Sequence, residues 1–169
     1  MPDDAPRTGP LFLQPAELVV AETAMRVKTV LGSCLAIVMR APRLGVAAMA
    51  HCLLPNAGAD GEERLKYVDT TIETMLLAFA RRGAGWGELE VKLFGGADGL
   101  EGSAGGSPYR VGSRNVESAL KELAARGMAA AASDVGGMCA RLVELDTGTG
   151  DVFVKRLPVA HAGRPGAPL

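Results

Sequence analysis

Cys34 and His51 are the two residues of this 169-residue chain whose types and spacing best suit covalent chemistry. Cys34 follows the tight-turn sequence Leu31-Gly32-Ser33, and backbone N–H dipoles can stabilise the thiolate of a cysteine just past a turn. His51 lies seventeen positions later, at the end of the next apolar run. If two strands pair across the turn at 41–45, both side chains reach the same end of a sheet, where the histidine can activate the thiol as a nucleophile.

Each of these residues also has a purely structural interpretation. A free cysteine is usually a small buried hydrophobe, and a histidine is as often a hydrogen-bonded core residue as a base. Cys52 is adjacent to His51, but alternation along a strand turns it to the opposite face, so we interpret it as a core residue. Cys139, beside a Gly-Gly turn, and His161, near the C-terminal end, have no evident catalytic partner.

Composition and missing motifs disfavour several other classes of function. The net charge is −1 and aromatic residues make up 4% of the chain, which disfavours nucleic-acid binding. The sequence has no P-loop, no complete dinucleotide fingerprint, no nucleophile elbow and no zinc-ligand spacing, so we expect neither a cofactor nor a metal. Scattered cysteines, short apolar runs and the lack of a secretion signal predict a cytoplasmic protein that does not insert into membranes.

The elements that must position Cys34 and His51 are mostly strands. Apolar and β-branched runs predict strands over 17–22, 25–31, 34–39, 46–54, 88–94, 128–133, 140–145 and 151–157. Apolar spacing of three and four residues predicts a helix over 62–82, and we expect a second over 114–126 with Ser113 as its N-cap. Consecutive strands that can pair directly indicate an α+β fold rather than regular βαβ alternation.

Proline and glycine divide the chain into one domain and two flanking segments. We expect residues 1–15 to be a flexible N-terminal arm, 16–158 to form the domain and 159–169 to be a flexible tail. A Gly-rich segment over 95–107 could border the site. Its Gly95-Gly96 and Gly105-Gly106 pairs could cradle an anion, although tight turns and close packing are the commoner uses of glycine.

Several segments, taken in order along the chain, carry a resemblance to a known family. They are TVLGSCLA (29–36), AHCLLP (50–55), KYVD (66–69), KLFGGA (92–97), VGSRN (111–115) and DVGG (134–137), the last followed by Arg141 and Thr147-Gly148. Their order and spacing, over roughly residues 15–158, resemble the CheD family of chemoreceptor glutamine deamidases.

The resemblance implies a fold, a substrate and partners. The fold would be an α/β sandwich with mixed or antiparallel sheets and two main helices, related to bacterial toxin deamidases. The substrates would be particular glutamine side chains of methyl-accepting chemotaxis receptors, which are converted to glutamate with release of ammonia. Members of the family often also bind the phosphatase CheC, which would make CheC a second partner.

The resemblance also implies roles for residues around the nucleophile segment. Cys34 would be the nucleophile and His51 its base, and a threonine just before the segment would position the histidine. Some members have this threonine six residues before the cysteine, where this chain has Lys28, which has no hydroxyl, so we assign the role to Thr29. The turn at Gly32 and Ser33 would border the oxyanion, whose donors would be the N–H of Cys34 and a neighbouring turn N–H.

Other functions remain open at the level of the sequence. A non-catalytic chemotaxis adaptor would bind CheC or receptors through the same domain while Cys34 stayed idle. A redox sensor would use Cys34 without depending on His51. A transglutaminating enzyme would use the same pair of residues but pass the acyl group to an amine.

Overall fold

Two β-sheets and two α-helices make up the part of the chain described by the computed structural model, residues 9–59, 61–99 and 110–158. The strands are β1 (Leu11–Phe12), β2 (Leu18–Ala21), β3 (Arg26–Leu31), β4 (Leu35–Ala41), β5 (Val46–Cys52), β6 (Glu90–Gly95), β7 (Ala132–Val135), β8 (Arg141–Asp146) and β9 (Val152–Arg156). The helices are α1 (Val68–Ala80) and α2 (Val111–Ala124). Short 3₁₀ turns occupy Pro42–Leu44, Arg64–Lys66 and Trp86–Glu88. The predicted α+β sandwich with two main helices is confirmed.

The strands form one four-stranded and one five-stranded sheet. The four-stranded sheet has the order β1-β3-β8-β9, and the five-stranded sheet has the order β2-β5-β4-β6-β7. Both sheets are mixed, because β1 pairs in parallel with β3 and β7 in parallel with β6, whereas the other pairs are antiparallel. The consecutive strands β3 and β4 therefore lie in different sheets, and the three residues between them form the passage from one sheet to the other.

Strand β4 shows how the layers share the core. Leu35, Ile37 and Met39 are fully buried against the helices, and Ala36 and Val38 are buried against the four-stranded sheet. A strand covered on both faces has no polar side, which explains why β4 and β5 are nearly continuous apolar runs in the sequence. The five-stranded sheet is thus the middle layer of the molecule. Neither helix in the described ranges combines the length and apolar content that crossing a membrane requires.

Both helices begin at residues other than those predicted. Helix α1 begins at Val68 instead of 62, because Arg64–Lys66 forms a 3₁₀ turn and Tyr67 is extended. Helix α2 begins at Val111, so Ser113 lies inside the first turn and is not the N-cap. The carboxylate of Asp98 reaches across and accepts hydrogen bonds from the backbone N–H and the hydroxyl of Ser113. A capping partner from a distant segment leaves no local signal in the sequence.

The last residues of the predicted N-terminal arm belong to the fold. Leu11–Phe12 pairs with β3, Leu13 is buried, and the Leu13 N–H donates to the Lys28 carbonyl at 2.7 Å. Pro15, one of the prolines that predicted a flexible arm, lies in a turn in which the N–H of Glu17 donates to the carbonyl of Gln14 at 3.2 Å. The rest of the predicted arm (1–8), the tail (159–169) with His161, and residues 100–109 of the Gly-rich segment lie outside the described residues.

Candidate active site

The register of β4 and β5 brings Cys34 and His51 to one face of the five-stranded sheet. His51 pairs with Ala36, and Cys34 lies two residues before Ala36, just outside the strand. Opposite residues in a ladder share a face, as do residues two apart, so Cys34 and His51 are diagonal neighbours facing the four-stranded sheet. Cys52 pairs with Leu35 on the helix side and is completely buried there, which confirms its predicted core position.

Thr29 reaches His51 from the other sheet. Its Oγ1 lies 2.7 Å from Nδ1 of His51 and 2.9 Å from the carbonyl oxygen of Leu13. A carbonyl oxygen only accepts hydrogen bonds, so the single hydroxyl proton goes to Leu13, and the N–H of Nδ1 must donate to Oγ1. The proton of neutral His51 is therefore on Nδ1, and Nε2 carries the lone pair that a general base needs.

Lys28 points the other way. Its ammonium group lies 3.0 Å from a carboxylate oxygen of Glu144 on β8, as part of the outer face of the four-stranded sheet. Thr29 is fully buried on the inner face, as strand alternation requires. Of these two residues, the structure therefore places Thr29 beside His51.

Burial keeps both members of the Cys34–His51 pair uncharged near neutral pH. His51 is 3% exposed, and burial lowers its pKa to about 4, against the opposing effect of the Glu17 carboxylate. Burial also raises the pKa of the half-buried Cys34, and the hydrogen bond from its own backbone N–H to the sulfur only partly opposes the rise. The N–H dipole thus acts in the expected direction, but desolvation outweighs it, so the resting pair is a thiol and a neutral imidazole.

The lone pair on Nε2 of His51 is unoccupied. This nitrogen is buried and has no hydrogen-bond partner among the described residues, the Cys34 sulfur included. A buried acceptor without a partner is uncommon, and it occurs here on the face that His51 shares with a thiol. The arrangement can therefore accept a proton from a donor that approaches it.

Three successive carbonyl groups of the turn that carries Cys34 are held by the surrounding fold. The Gly32 carbonyl accepts from the Ala97 N–H at 3.0 Å and the Cys34 carbonyl from the Gly96 N–H at 2.8 Å. Between them, the Ser33 carbonyl accepts from a side-chain amide at 2.9 Å. Carbonyl and N–H point in opposite directions within each planar peptide unit, so the N–H groups of Ser33 and Cys34 face away from these anchors. Neither donates to another residue in the described part of the chain.

The Gly95-Gly96 pair serves close packing rather than anion binding. Gly95 has φ +102°, and a Cβ there would lie 2.4 Å from the carbonyl oxygen of Cys34. The N–H of Gly96 is already used by that same carbonyl. Glycine is needed here because the chain at the end of β6 passes directly beside the turn that carries Cys34.

Two polar residues that support the turn belong to the segments that carry the family resemblance, but the sequence alone assigned neither a role. Asn115 of α2 is completely buried and is the amide that bonds the Ser33 carbonyl. Arg141, 2% exposed, donates to the carbonyls of Gly95 and Gly136 and to the carboxylate of Asp134. The spacing of both residues in the sequence predicts that they are buried. Asn115 continues the inward spacing of Ala119 and Leu123 on α2, and Arg141 occupies a buried position of the alternating strand β8.

Comparisons with known proteins point to one family. The family model described as CheD chemotactic sensory transduction matches residues 53–156. The chain is similar to the probable chemoreceptor glutamine deamidase CheD 2 of Geobacter sulfurreducens, with 43% identity over 90% of this chain and 92% of the relative. It is also similar to the probable chemoreceptor glutamine deamidase CheD of Maridesulfovibrio salexigens (36% identity; 93% of this chain, 97% of the relative) and to the chemoreceptor glutamine deamidase CheD of Thermotoga maritima (39%; 75% and 78%).

The matches differ in how they cover the site. The match to the family model begins two residues after His51 and so includes neither His51 nor Cys34. The alignment with the Geobacter protein spans 152 residues of this chain, which is long enough that it must include both positions wherever it begins.

Proposed function

The chain belongs to the CheD family, and we propose that it hydrolyses the side-chain amide of particular glutamines in methyl-accepting chemotaxis receptors. Each turnover consumes one water, converts one glutamine to glutamate and releases one ammonia, which makes the protein a protein-glutamine glutaminase. The observation that carries the proposal is the hydrogen-bonded chain from Leu13 through Thr29 to His51. These two hydrogen bonds leave Nε2 of His51 unprotonated, on the face that His51 shares with Cys34.

In the first step Cys34 acts as the nucleophile and His51 as the base. The pair is neutral at rest, so Nε2 takes the thiol proton as the sulfur attacks the amide carbon. No described residue competes for Nε2. In enzymes without bound substrate, the hydrogen bond between a nucleophile and its base is often long, and it tightens in the Michaelis complex.

The tetrahedral intermediate carries its negative charge on the former amide oxygen. The N–H of Cys34 lies beside its own sulfur. In the intermediate that sulfur is bonded to the substrate carbon that bears the oxyanion, so the N–H lies close to the oxyanion. This N–H and that of Ser33 are the donors that the turn offers, since neither is used by another described residue. Losing one donor of this kind typically costs about 100–1,000-fold in rate.

His51 then acts as an acid and once more as a base. Because burial lowers its pKa to about 4, the imidazolium formed in the first step readily gives its proton to the amide nitrogen, and ammonia leaves. The thioester on Cys34 remains, and Nε2 deprotonates the water that hydrolyses it to glutamate. Thr29 keeps the ring in the orientation and tautomer that both steps need.

The accessibility of the pair fits a substrate presented on a protein surface. Cys34 is half-buried at the turn, whereas His51 is buried behind it. A glutamine side chain projecting from a receptor helix could approach the sulfur without entering a deep pocket. Binding to a CheC phosphatase and a location in the cytoplasm, where it would meet the receptors' signalling domains, are parts of the same proposal.

The test is deamidation of receptor cytoplasmic fragments, followed by mass spectrometry of their glutamine-containing peptides. The wild type should convert specific glutamines, and Cys34→Ala and His51→Ala should convert none. Cys52→Ala is the matched control, because Cys52 is buried on the other face of the same sheet, and it should stay active. A wild type that binds receptors or CheC but converts no glutamine would identify an adaptor. Activity in Cys34→Ala would show that Cys34 is not the nucleophile.

A further inference from the structure

We propose that Asn115 is a positioning residue that aims the backbone N–H of Cys34 at the oxyanion. This inference rests on the proposed function. Asn115 lies on α2, directs its hydrogen bonds to backbone carbonyls and would act through the peptide bond between Ser33 and Cys34. Its role would be separate from those of Thr29 and His51, which control the proton.

The amide of Asn115 uses both of its N–H donors on backbone carbonyls. Nδ2 donates to the Ser33 carbonyl at 2.9 Å and to the Leu53 carbonyl at 3.0 Å. Because carbonyl oxygens cannot donate, these partners fix which end of the amide is nitrogen. The side chain is completely buried, so water does not compete for these bonds.

One of these bonds controls the direction of a catalytic donor. The Ser33 carbonyl and the Cys34 N–H belong to the same planar peptide unit and point in opposite directions. Holding the carbonyl at one end therefore holds the N–H at the other. The neighbouring planes are held by the backbone N–H groups of Ala97 and Gly96, whereas this plane is held by a side chain, so a substitution can release it selectively.

The other bond connects the nucleophile turn to the strand of His51. The β4–β5 ladder ends at the Leu35–Cys52 pair, so Leu53 is the residue that would face Cys34 if the ladder continued. Asn115 joins Ser33 and Leu53 across this gap, replacing the ladder bonds that are no longer made. The amide thus fixes the sulfur-bearing turn relative to the histidine as well as the peptide plane.

The unpaired oxygen of Asn115 indicates that the donor bonds are what the amide contributes. Its Oδ1 is buried and has no partner among the described residues, which costs stability. An apolar residue at this position of α2 would avoid that cost and would continue the inward face of Ala119 and Leu123. Only a donor-bearing side chain can hold the two carbonyls.

The proposal separates two reactions of the same sulfur. Attack on an amide creates an oxyanion, whereas alkylation of Cys34 by iodoacetamide is a direct displacement that creates none. A misaligned Cys34 N–H should therefore slow deamidation far more than alkylation. Since this N–H also lowers the pKa of the thiol, alkylation is compared at its high-pH plateau, where all the sulfur is thiolate.

The experiment compares Asn115→Ala with Ser118→Ala. Ser118 lies one turn further along α2 and also bonds a carbonyl after β5, that of Pro55, at 2.8 Å. We expect Asn115→Ala to lower kcat about 100–1,000-fold, with KM and the plateau rate of alkylation each within about threefold of the wild type. Ser118→Ala should leave kcat within about threefold. Asn115→Ser, which shortens the side chain but keeps it polar, is the second variant if the alanine variant does not fold.

The outcomes distinguish this inference from the function on which it rests. Equal losses of deamidation and alkylation in Asn115→Ala would mean general loosening of the site and would overturn the positioning role. The positioning role would also be overturned if the kcat of Asn115→Ala matched that of Ser118→Ala. If Cys34→Ala were inactive in the same assay, the proposed function would still stand. Deamidation by Cys34→Ala would instead remove the proposed function itself.

Discussion

Replacing Thr29 by valine tests the link between the two sheets and the protonation state of His51. Valine has nearly the same shape but no hydroxyl, so the variant removes both hydrogen bonds of Oγ1 and little else. The Leu13 carbonyl loses its donor, and the N–H of Nδ1 loses its acceptor. The ring can escape the second loss by moving its proton to Nε2, which leaves no lone pair for the Cys34 thiol.

Two magnitudes follow from this geometry. A buried polar group left without its partner costs about 1–3 kcal/mol, so the loss at Leu13 alone should lower stability by about 2 kcal/mol. For a domain of this size that lowers Tm by about 4–8 °C, which a typical stability of about 5–15 kcal/mol tolerates. The tautomer change is more serious for activity, since a histidine held in the wrong tautomer has cost about 10,000-fold in a serine protease triad. We expect kcat of Thr29→Val to fall at least about 100-fold.

The assay joins activity to a direct measurement of the proton. Nitrogen-15 NMR of the His51 ring should show protonated Nδ1 in the wild type and protonated Nε2 in Thr29→Val. Thr29→Ser, which keeps the hydroxyl, should retain the wild-type tautomer and most of the activity. A wild-type ring protonated on Nε2 would refute the reasoning, as would a Thr29→Val protein that loses stability but keeps its activity.

Three further predictions concern the surroundings of His51. Because its pKa is about 4 when folded and 6.5 when unfolded, the unfolded state binds more protons between these values. Stability should therefore fall by up to about 3 kcal/mol as the pH drops from 6.5 to 4, and urea titrations should show a smaller fall in His51→Gln. Glu17→Gln removes the charge that raises the pKa of His51, so the acid limb of the kcat/KM profile should move to lower pH. Glu22 pairs with Arg82 elsewhere, and Glu22→Gln should leave the profile unchanged. Ala16→Gly should raise the urea midpoint by the equivalent of about 0.5–1 kcal/mol, because Ala16 has φ +60°, and an unchanged or lower midpoint would contradict the strain.

The pairing of Cys34 with His51 could be predicted because it depends on local pattern. Two apolar runs separated by a short turn form neighbouring antiparallel strands, and the turn length sets which residues meet. Alternation in the segment Arg26–Leu31 likewise distinguishes Thr29, on the inward face, from Lys28, on the outward face. These features need only the sequence and the periodicity of a strand.

The remaining features of the site depend on contacts that no local pattern encodes. Nothing in the sequence separates β3 and β4 into different sheets, yet this separation is what brings Thr29 across to His51. The carbonyl that completes the hydrogen-bonded chain comes from Leu13, in a segment whose prolines and single glycine predicted flexibility. The net effect of burial on the two pKa values also depends on both sheets being in place.

The electrostatics of the pair explain why so much of the chain converges on one turn. Burial disfavours both the thiolate and the imidazolium, so the resting site does not hold a reactive ion pair. In the mechanism that we propose, the site must therefore lower the barrier after attack begins. The means available is donor geometry, which acts only once the oxyanion forms. Residues from three of the recognisable parts of the sequence, KLFGGA (92–97), VGSRN (111–115) and Arg141, support this geometry. Arg141 holds the last residue of β6, and the loop that follows, together with Asn115, holds the three carbonyls of the turn. In this site the orientation of peptide planes, rather than the charge of the sulfur, is what those segments maintain.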